Sequence, residues 1–338
     1  MWKNKKRRTK RGLRRNTTVA AAIITAIALI SLLYYANSYM NSHIGNANSK
    51  LTNVSTAVPA NSSSLGQINV TRLQAEVLPA QGFILNAKWG NVAQKAVQDG
   101  TINVANLSKI LNYSKEPLTK AELSILNGTS TQNITLNSSD ALFVVDVLWG
   151  IGINNNNTII TEGSISQYSN QTYTAANGTI IHYTQTPYGY ASTGGYGPLG
   201  NLQLGKLNLI SLTPDQQKVV DYVATNSYRP CCDNPTSFPD CNHGAAALAL
   251  VEIMASQGNG INATFTAVKD FNSLYFTQQY LYDAVYFASK GIAWNNVPPA
   301  LITGFNFSSA TGTYNIQQYV QKNLTKTVSG GAFPSCGA

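Results

Sequence analysis

Ala245-Ala246-Ala247-Leu248-Ala249-Leu250-Val251-Glu252-Ile253-Met254-Ala255 is apolar on every face of a helix except at Glu252. A helix without a polar side has nothing to offer water, so this stretch predicts the buried centre of a globular unit. The helix is expected over 244–257, stopped by Gly258. Around it the sequence stays helical. Thr213-Pro214-Asp215-Gln216 is a start signal, with Thr as cap, Pro at the first helical position and Gln three residues after the cap, for a helix to about Asn226. Further helices are expected over 264–275, from Thr277 to a stop at Gly291, and over 313–324. Residues 206–338 thus read as a mostly helical region ending in the loop GGAFPSCGA.

Glu252 is the one acid in the apolar helix. Nine residues from His243 is about 13 Å along the axis, so it is expected to pair with another helix, near Lys269 or Lys290, and not with His243.

Immediately before the helix stands Tyr228-Arg-Pro-Cys231-Cys232-Asp-Asn-Pro-Thr-Ser-Phe-Pro-Asp240-Cys241-Asn-His243-Gly244, which holds three of the four cysteines and one of the three histidines. The fourth cysteine is Cys336. Three readings stay open. The first is a pair of disulfides, the default for cysteine outside the cytoplasm. A Cys231–Cys232 bond would be a strained vicinal one, so these two would divide Cys241 and Cys336 between them. Such pairing would close a ring of about 100 residues, a constraint of about 4–5 kcal/mol in the chain-entropy account. The second is a metal site in which Cys231, Cys232, Cys241 and His243 form a Cys3His set for Zn or a thiolate-rich set for Cu(I), with Cys336 or His182 as a further ligand. Its vicinal Cys pair and tight Cys-x-His depart from the usual zinc spacing. The third is a reactive thiol. Cys241 and His243 lie at a helix N-terminus, where free amides favour a thiolate and disfavour a charged imidazole.

Residues 70–205 read as a mixed α/β region, with helices near 90–99, 104–112 and 119–127. A further helix is capped by Ser139 and stopped by Gly150, and its Asp146 is expected on the solvent face, the alternative being a buried acid with a partner. Thr158–Thr161 and Thr179–Tyr183 read as two short strands that pair as a hairpin. Residues 188–200 form a Gly/Tyr-rich loop with neither a Walker nor a Rossmann context.

Upstream, residues 36–69 are rich in Asn, Ser, Ala and Thr without apolar periodicity and read as a stalk that includes His43. Thr17 to Tyr35 is an uncharged, mostly apolar run of about 19 residues, enough to cross a hydrocarbon core of about 30 Å. Residues 1–16 form a basic tail. The net charge of +9 and the pI near 9.3 belong to that tail, since nine of the 23 Lys and Arg lie in residues 1–15 and the other 14 face 14 acids. The positive-inside rule then keeps the tail cytoplasmic and the bulk of the chain outside. A cleavable signal with its site at Ala36-Asn37-Ser38 competes with the anchor. A pilin-type signal at Lys10-Arg11-Gly12 would bury Arg14 and Arg15, and a twin-arginine signal lacks the apolar residues that should follow the pair. A charge confined to the tail speaks for anionic lipids and against nucleic acid as its partner.

There are 15 Asn-x-Ser/Thr sites, where composition predicts roughly six, and a glycosylated surface is expected. Charged residues make up only 11% of the chain, so its surface gains little charge in acid, which suits an acidic exterior.

The fold class is therefore α+β, mainly α: a transmembrane helix, a stalk, a mixed region and a mostly helical C-terminal region. No motif names a reaction, no catalytic residue is assigned, and the motifs do not argue for an enzyme. The expected function is a membrane-anchored extracytoplasmic protein with a Cys/His metal or redox site. The alternatives are a disulfide-stapled surface or interaction glycoprotein with a protein partner and, third, a thiol-dependent hydrolase.

Overall fold

The computed structural model describes residues 67–168, 172–174, 180–182, 204–324 and 327–329, and these are 60% helix and 11% strand. The chain is α+β and mainly α. The tail, the apolar run, most of the stalk, the Gly/Tyr-rich loop and Cys336 lie outside the described residues. No helix among the described residues is long and apolar enough to cross a membrane.

Strand β1 (Ile68–Asn69) opens the described chain, and Asn69 caps α1 (Val70–Val77) by accepting from Arg72 N at 2.9 Å. Strand β2 (Phe83–Gly90) follows, and its alternating burial puts Leu85, Ala87 and Trp89 inside. Three short helices come next: α2 (Val92–Gln98), α3 (Val104–Tyr113) and α4 (Lys120–Asn127). The last begins at a reciprocal Thr119–Glu122 capping box. Strand β3 (Ser130–Leu136) returns antiparallel to β2. These two strands were not foreseen, although Leu85, Ala87 and Trp89 show the required period of two.

Helix α5 (Ala141–Asn154) departs from expectation twice. Gly150 does not stop it. The helix runs through it to Asn154, and Gly152 sits at a close packing contact, where a Cβ would stand 2.0 Å from the Ala245 carbonyl oxygen. Asp146 is buried, not solvent-facing, because the whole middle of α5 lies in the core. Residues Thr158–Thr161 are helix α6 and not a strand, since the Asn157 side chain accepts from Ile159 N at 2.9 Å and starts a helical turn. After α7 (Ser164–Tyr168), β4 (Thr172–Thr174) pairs antiparallel with β5 (Ile180–His182), so the expected strand at 180–182 finds its partner at 172–174.

The second half is helical. Helix α8 (Pro214–Asn226) has the expected Thr213–Gln216 capping box. It is followed by α9 (Asn242–Ser256), α10 (Ile261–Tyr275) and α11 (Thr277–Ser289). A 3-10 turn at Trp294–Asn296, the short α12 (Pro299–Ile302) and α13 (Phe305–Ser308), and α14 (Ala310–Asn323) complete it. Strand β6 (Val328–Ser329) pairs parallel with β1.

Two apolar cores result. The larger gathers β2, β3, α2–α5, α8, α9 and α10, drawing on both sides of residue 205. The smaller is built by α1, α11, the Trp294 turn and α14. Helix α9 is the axis of the larger core: every residue from Gly244 to Ala255 is buried. Glu252 is fully buried there and does not meet Lys269 or Lys290. Its partner is an amide, Asn155 Nδ2 donating to Oε2 at 3.1 Å, and burial raises its carboxyl to about 8. Lys269 instead lies over the Trp294 ring, and Lys290 donates to the Tyr319 hydroxyl at 3.0 Å.

Candidate thiol site

The loop between α8 and α9 is built around Arg229, whose side chain is 1% exposed. A guanidinium carries five N–H donors in a rigid fork, and burying one with any donor unmet is costly. Here all five are used. Nε donates to Cys241 Sγ at 3.1 Å, Nη1 to the carbonyls of Asn234 and Pro235 at 3.2 and 3.1 Å, and Nη2 to the Phe238 carbonyl at 3.2 Å and to Asp240 Oδ1. Asn234 Nδ2 donates to the other Asp240 oxygen at 2.8 Å. The irregular run Asn-Pro-Thr-Ser-Phe-Pro-Asp thus owes its course to one cation that collects its carbonyls. Gly244 completes the seat, because a Cβ there would lie 2.6 Å from Arg229 Cζ.

Cys241 is the N-cap of α9. Its sulfur accepts from Gly244 N at 3.4 Å, a distance that sulfur's size allows. Cys231 is exposed and Cys232 partly buried, and both hydrogen-bond to Cys241 and to each other. The hydrogen bonds from Cys231 and Cys232 hold the Cys241 thiol far below the usual thiol range. They prevail over burial and are aided by the Arg229 charge and the Gly244 amide. Cys231 is pushed well up, first by its hydrogen bonds to Cys232 and Cys241. Of the three sulfurs, Cys241 is the one that the Arg229 guanidinium and the Gly244 amide favour as a thiolate. Burial opposes the charge on Arg229, but Cys241, Cys232, Cys231 and Asp240 outweigh it. Burial also raises Asp240, against the pull of Arg229.

The loop is clamped from outside as well. Ala310 N donates to the Cys232 carbonyl at 2.9 Å, and Asp233 accepts from Thr311 N and Oγ1, each at 2.8 Å. The thiols are thereby tied to the start of α14.

The structure brings Cys231, Cys232 and Cys241 together. His243 neighbours them, but its ring packs on Tyr275 and Phe276 with centroids 5.3 and 5.0 Å away, and burial keeps its imidazole below the usual range and neutral. His182 lies on β5, and Cys336 is outside the described residues. Among the described residues no group of three or more His, Cys, Asp or Glu is arranged to hold a metal ion. Cys241 Sγ faces the Arg229 guanidinium at 3.1 Å and the Gly244 amide at 3.4 Å.

Arg229 and Asp240 are the site residues that motif reading missed. The available signal was the lone arginine and the two aspartates, Asp233 and Asp240, in a loop rich in prolines and small polar residues. Comparison of the chain with protein-family models, with curated proteins and with solved structures finds no match.

Proposed function

We propose that the chain is a single-pass, membrane-anchored extracytoplasmic glycoprotein whose helical domain carries a thiol–disulfide redox centre, with Cys241 as the thiolate. The observation that supports the redox centre is the Cys241 sulfur held between a buried guanidinium, a helix N-terminus and two neighbouring thiols. In the reaction the Cys241 thiolate and one neighbouring thiol close a disulfide, giving one proton to solvent and two electrons to an acceptor.

Burial of asparagines supports the exterior location. Of the ten described sequon asparagines (69, 106, 112, 127, 133, 137, 156, 262, 306 and 323) nine are exposed and none is buried. Asn154, Asn155, Asn157, Asn259 and Asn272, which head no sequon, are buried. The sites that would carry glycans are thus the ones that can.

Alkylation with iodoacetamide tests the redox centre. Labelling of Cys241 should stay level from about pH 5 to pH 8, while Cys231 and Cys232 react only as pH approaches the thiol range. Labelling of Cys241 that climbs tenfold per pH unit would sink the reading.

A second reading, a non-catalytic protein whose cysteines only staple it, is favoured by one observation: Arg229 spends three of its five donors on backbone carbonyls of the loop. Intact mass without reductant separates the two. A loss of four protons that mild reductant does not reverse in the folded protein supports the staple.

A further inference from the structure

We propose that N-linked glycans at Asn112, Asn262 and Asn306 lie over the exposed hydrophobic residues beside them and shield those residues from water. The inference rests on the glycoprotein reading above and names three of its sites and their role.

The hydrophobic residues come first. Among the described residues five large hydrophobic side chains are exposed: Tyr113 at 93%, Ile84 at 71%, Tyr314 at 60%, Phe305 at 42% and Ile261 at 40%. Any one of them alone is ordinary for a protein surface. Their positions are not. Tyr113 follows Asn112, Ile261 precedes Asn262 and Phe305 precedes Asn306, and all three asparagines head sequons. The ten described sequon asparagines have twenty chain neighbours in the roughly 230 residues described, so chance would put fewer than one of the five there. Tyr314 has no sequon beside it and is left uncovered.

Ile84 joins the Asn262 group through the backbone. Past α9 the chain runs antiparallel alongside β2 and is held to it by side-chain amides. Gln257 exchanges two hydrogen bonds with the Lys88 backbone, at 2.7 and 2.8 Å. Asn259 donates to the Asn86 carbonyl and accepts from the Asn86 side chain, each at 2.9 Å. Carried two residues further, that register sets Ile261 beside Ile84. A sugar on Asn262 therefore starts next to an apolar pair, on a face where β2 otherwise presents Asn86 and Lys88.

The attachment points are open. Among the described residues neither the Asn262 nor the Asn306 side chain has a hydrogen-bond partner, and the Asn112 amide reaches Ser108 Oγ at 3.3 Å. Asn137 differs on both counts: its side chain holds Ser139 and Asp140, and its neighbour Leu136 is buried. Transfer forms a bond from Nδ2 to the anomeric carbon of a glycosyl phosphate donor, breaks the donor's C–O bond, and releases the phosphate and one amide proton. A sugar ring presents a face of C–H bonds that packs on aromatic and aliphatic side chains, while its hydroxyls meet water. Attachment precedes folding, because the hydroxyls that complete two of the sequons are buried and engaged. Thr264 Oγ1 donates to the Gly260 carbonyl at 3.0 Å, and Ser308 Oγ to the Ile302 carbonyl at 2.6 Å.

The test starts from the full chain purified from its own membranes, with its glycopeptides mapped by mass spectrometry. The Asn112, Asn262 and Asn306 peptides should carry sugar. Sugar at other sequons with these three bare would overturn the proposal and leave the glycoprotein reading standing, and absence of sugar from every asparagine would remove both. Asn262→Gln made in the same cells should bind more of an apolar dye than the parent, and adding Ile84→Ser and Ile261→Ser should return the signal to the parent's level. Asn127→Gln is the control, since its neighbours are the buried Leu126 and a glycine. A dye signal that rises equally in both glutamine variants, or in neither, would overturn the proposal.

Discussion

Arg229 makes the thiol site and its loop one object, so a change in either is felt in both. Arg229→Lys keeps a positive charge but cannot reach five partners spread over Asn234, Pro235, Phe238, Asp240 and Cys241. Urea unfolding should show a loss of about 3 kcal/mol, the scale for breaking a buried ion pair. The onset of Cys241 alkylation should shift to higher pH in the same variant. A shift in alkylation without loss of stability would mean the loop is held by something else. Gly244→Ala probes the same contact from the helix side, because the new methyl would sit 2.6 Å from Arg229 Cζ. It should cost about 1–3 kcal/mol by overpacking, read in the same titration. The sulfurs of this site were legible in the sequence because soft ligands clustered within a few residues are rare. Arg229 was not, since nothing local distinguishes a buried arginine from the exposed kind until its five acceptors are assembled around it. Glu252 shows the same limit: its burial followed from its apolar neighbours, but its Asn155 partner lies on another element.

Local signals served best for the elements. Thr213 and Gln216 act on residues three apart, and the resulting α8 has the expected limits; Gly258 and Gly291 likewise lie just past the helices they follow. Signals that depend on a neighbouring element failed. Thr158–Thr161 carries strand-forming residues, yet the Asn157 cap turns it into a helix. The pairing of β1 with β6 joins the two ends of the described chain and leaves no trace in either dipeptide. Gly150 read as a helix stop, whereas α5 runs through it, and the crossing of α5 over α9 requires a glycine at 152, beneath Ala245 and Ala249. Gly152→Ala should therefore cost about 2–3 kcal/mol or unfold the larger core, because the methyl would meet backbone and not a side chain that can yield. Gly128→Ala is the control. Its Cβ would approach nothing closer than 3.7 Å, and its φ of −157° is open to any residue. Thermal melts that rank the two variants equally would refute the tight crossing.

For the molecule as a whole, burial of carboxyl groups sets how stability depends on pH. Burial raises Asp146 and Asp270 to about 7 and Glu252 to about 8, and it raises the fully buried Asp283 well above the ordinary carboxylate range. Each binds a proton in the folded chain at a pH where the unfolded chain has released it. The folded state then holds more protons than the unfolded, and stability falls as pH rises from about 4 to about 8. Two groups oppose this. Cys241 is ionised in the folded state and protonated in the unfolded, and neutral His243 is depressed by burial, so both favour the folded chain at higher pH. Four acids outnumber them, and each net proton is worth about 1.4 kcal/mol per pH unit before solvent and relaxation reduce it. Melting temperature should accordingly be higher at about pH 5 than at about pH 7.5. Asp283→Asn gives the sharper test. The amide mimics the protonated acid inside the smaller core, so the variant should match the parent at about pH 5 and exceed it near pH 8. A melting temperature that climbs steadily from pH 5 to pH 8 in the parent would show that the buried acids find partners when they ionise, and the argument from burial would fall.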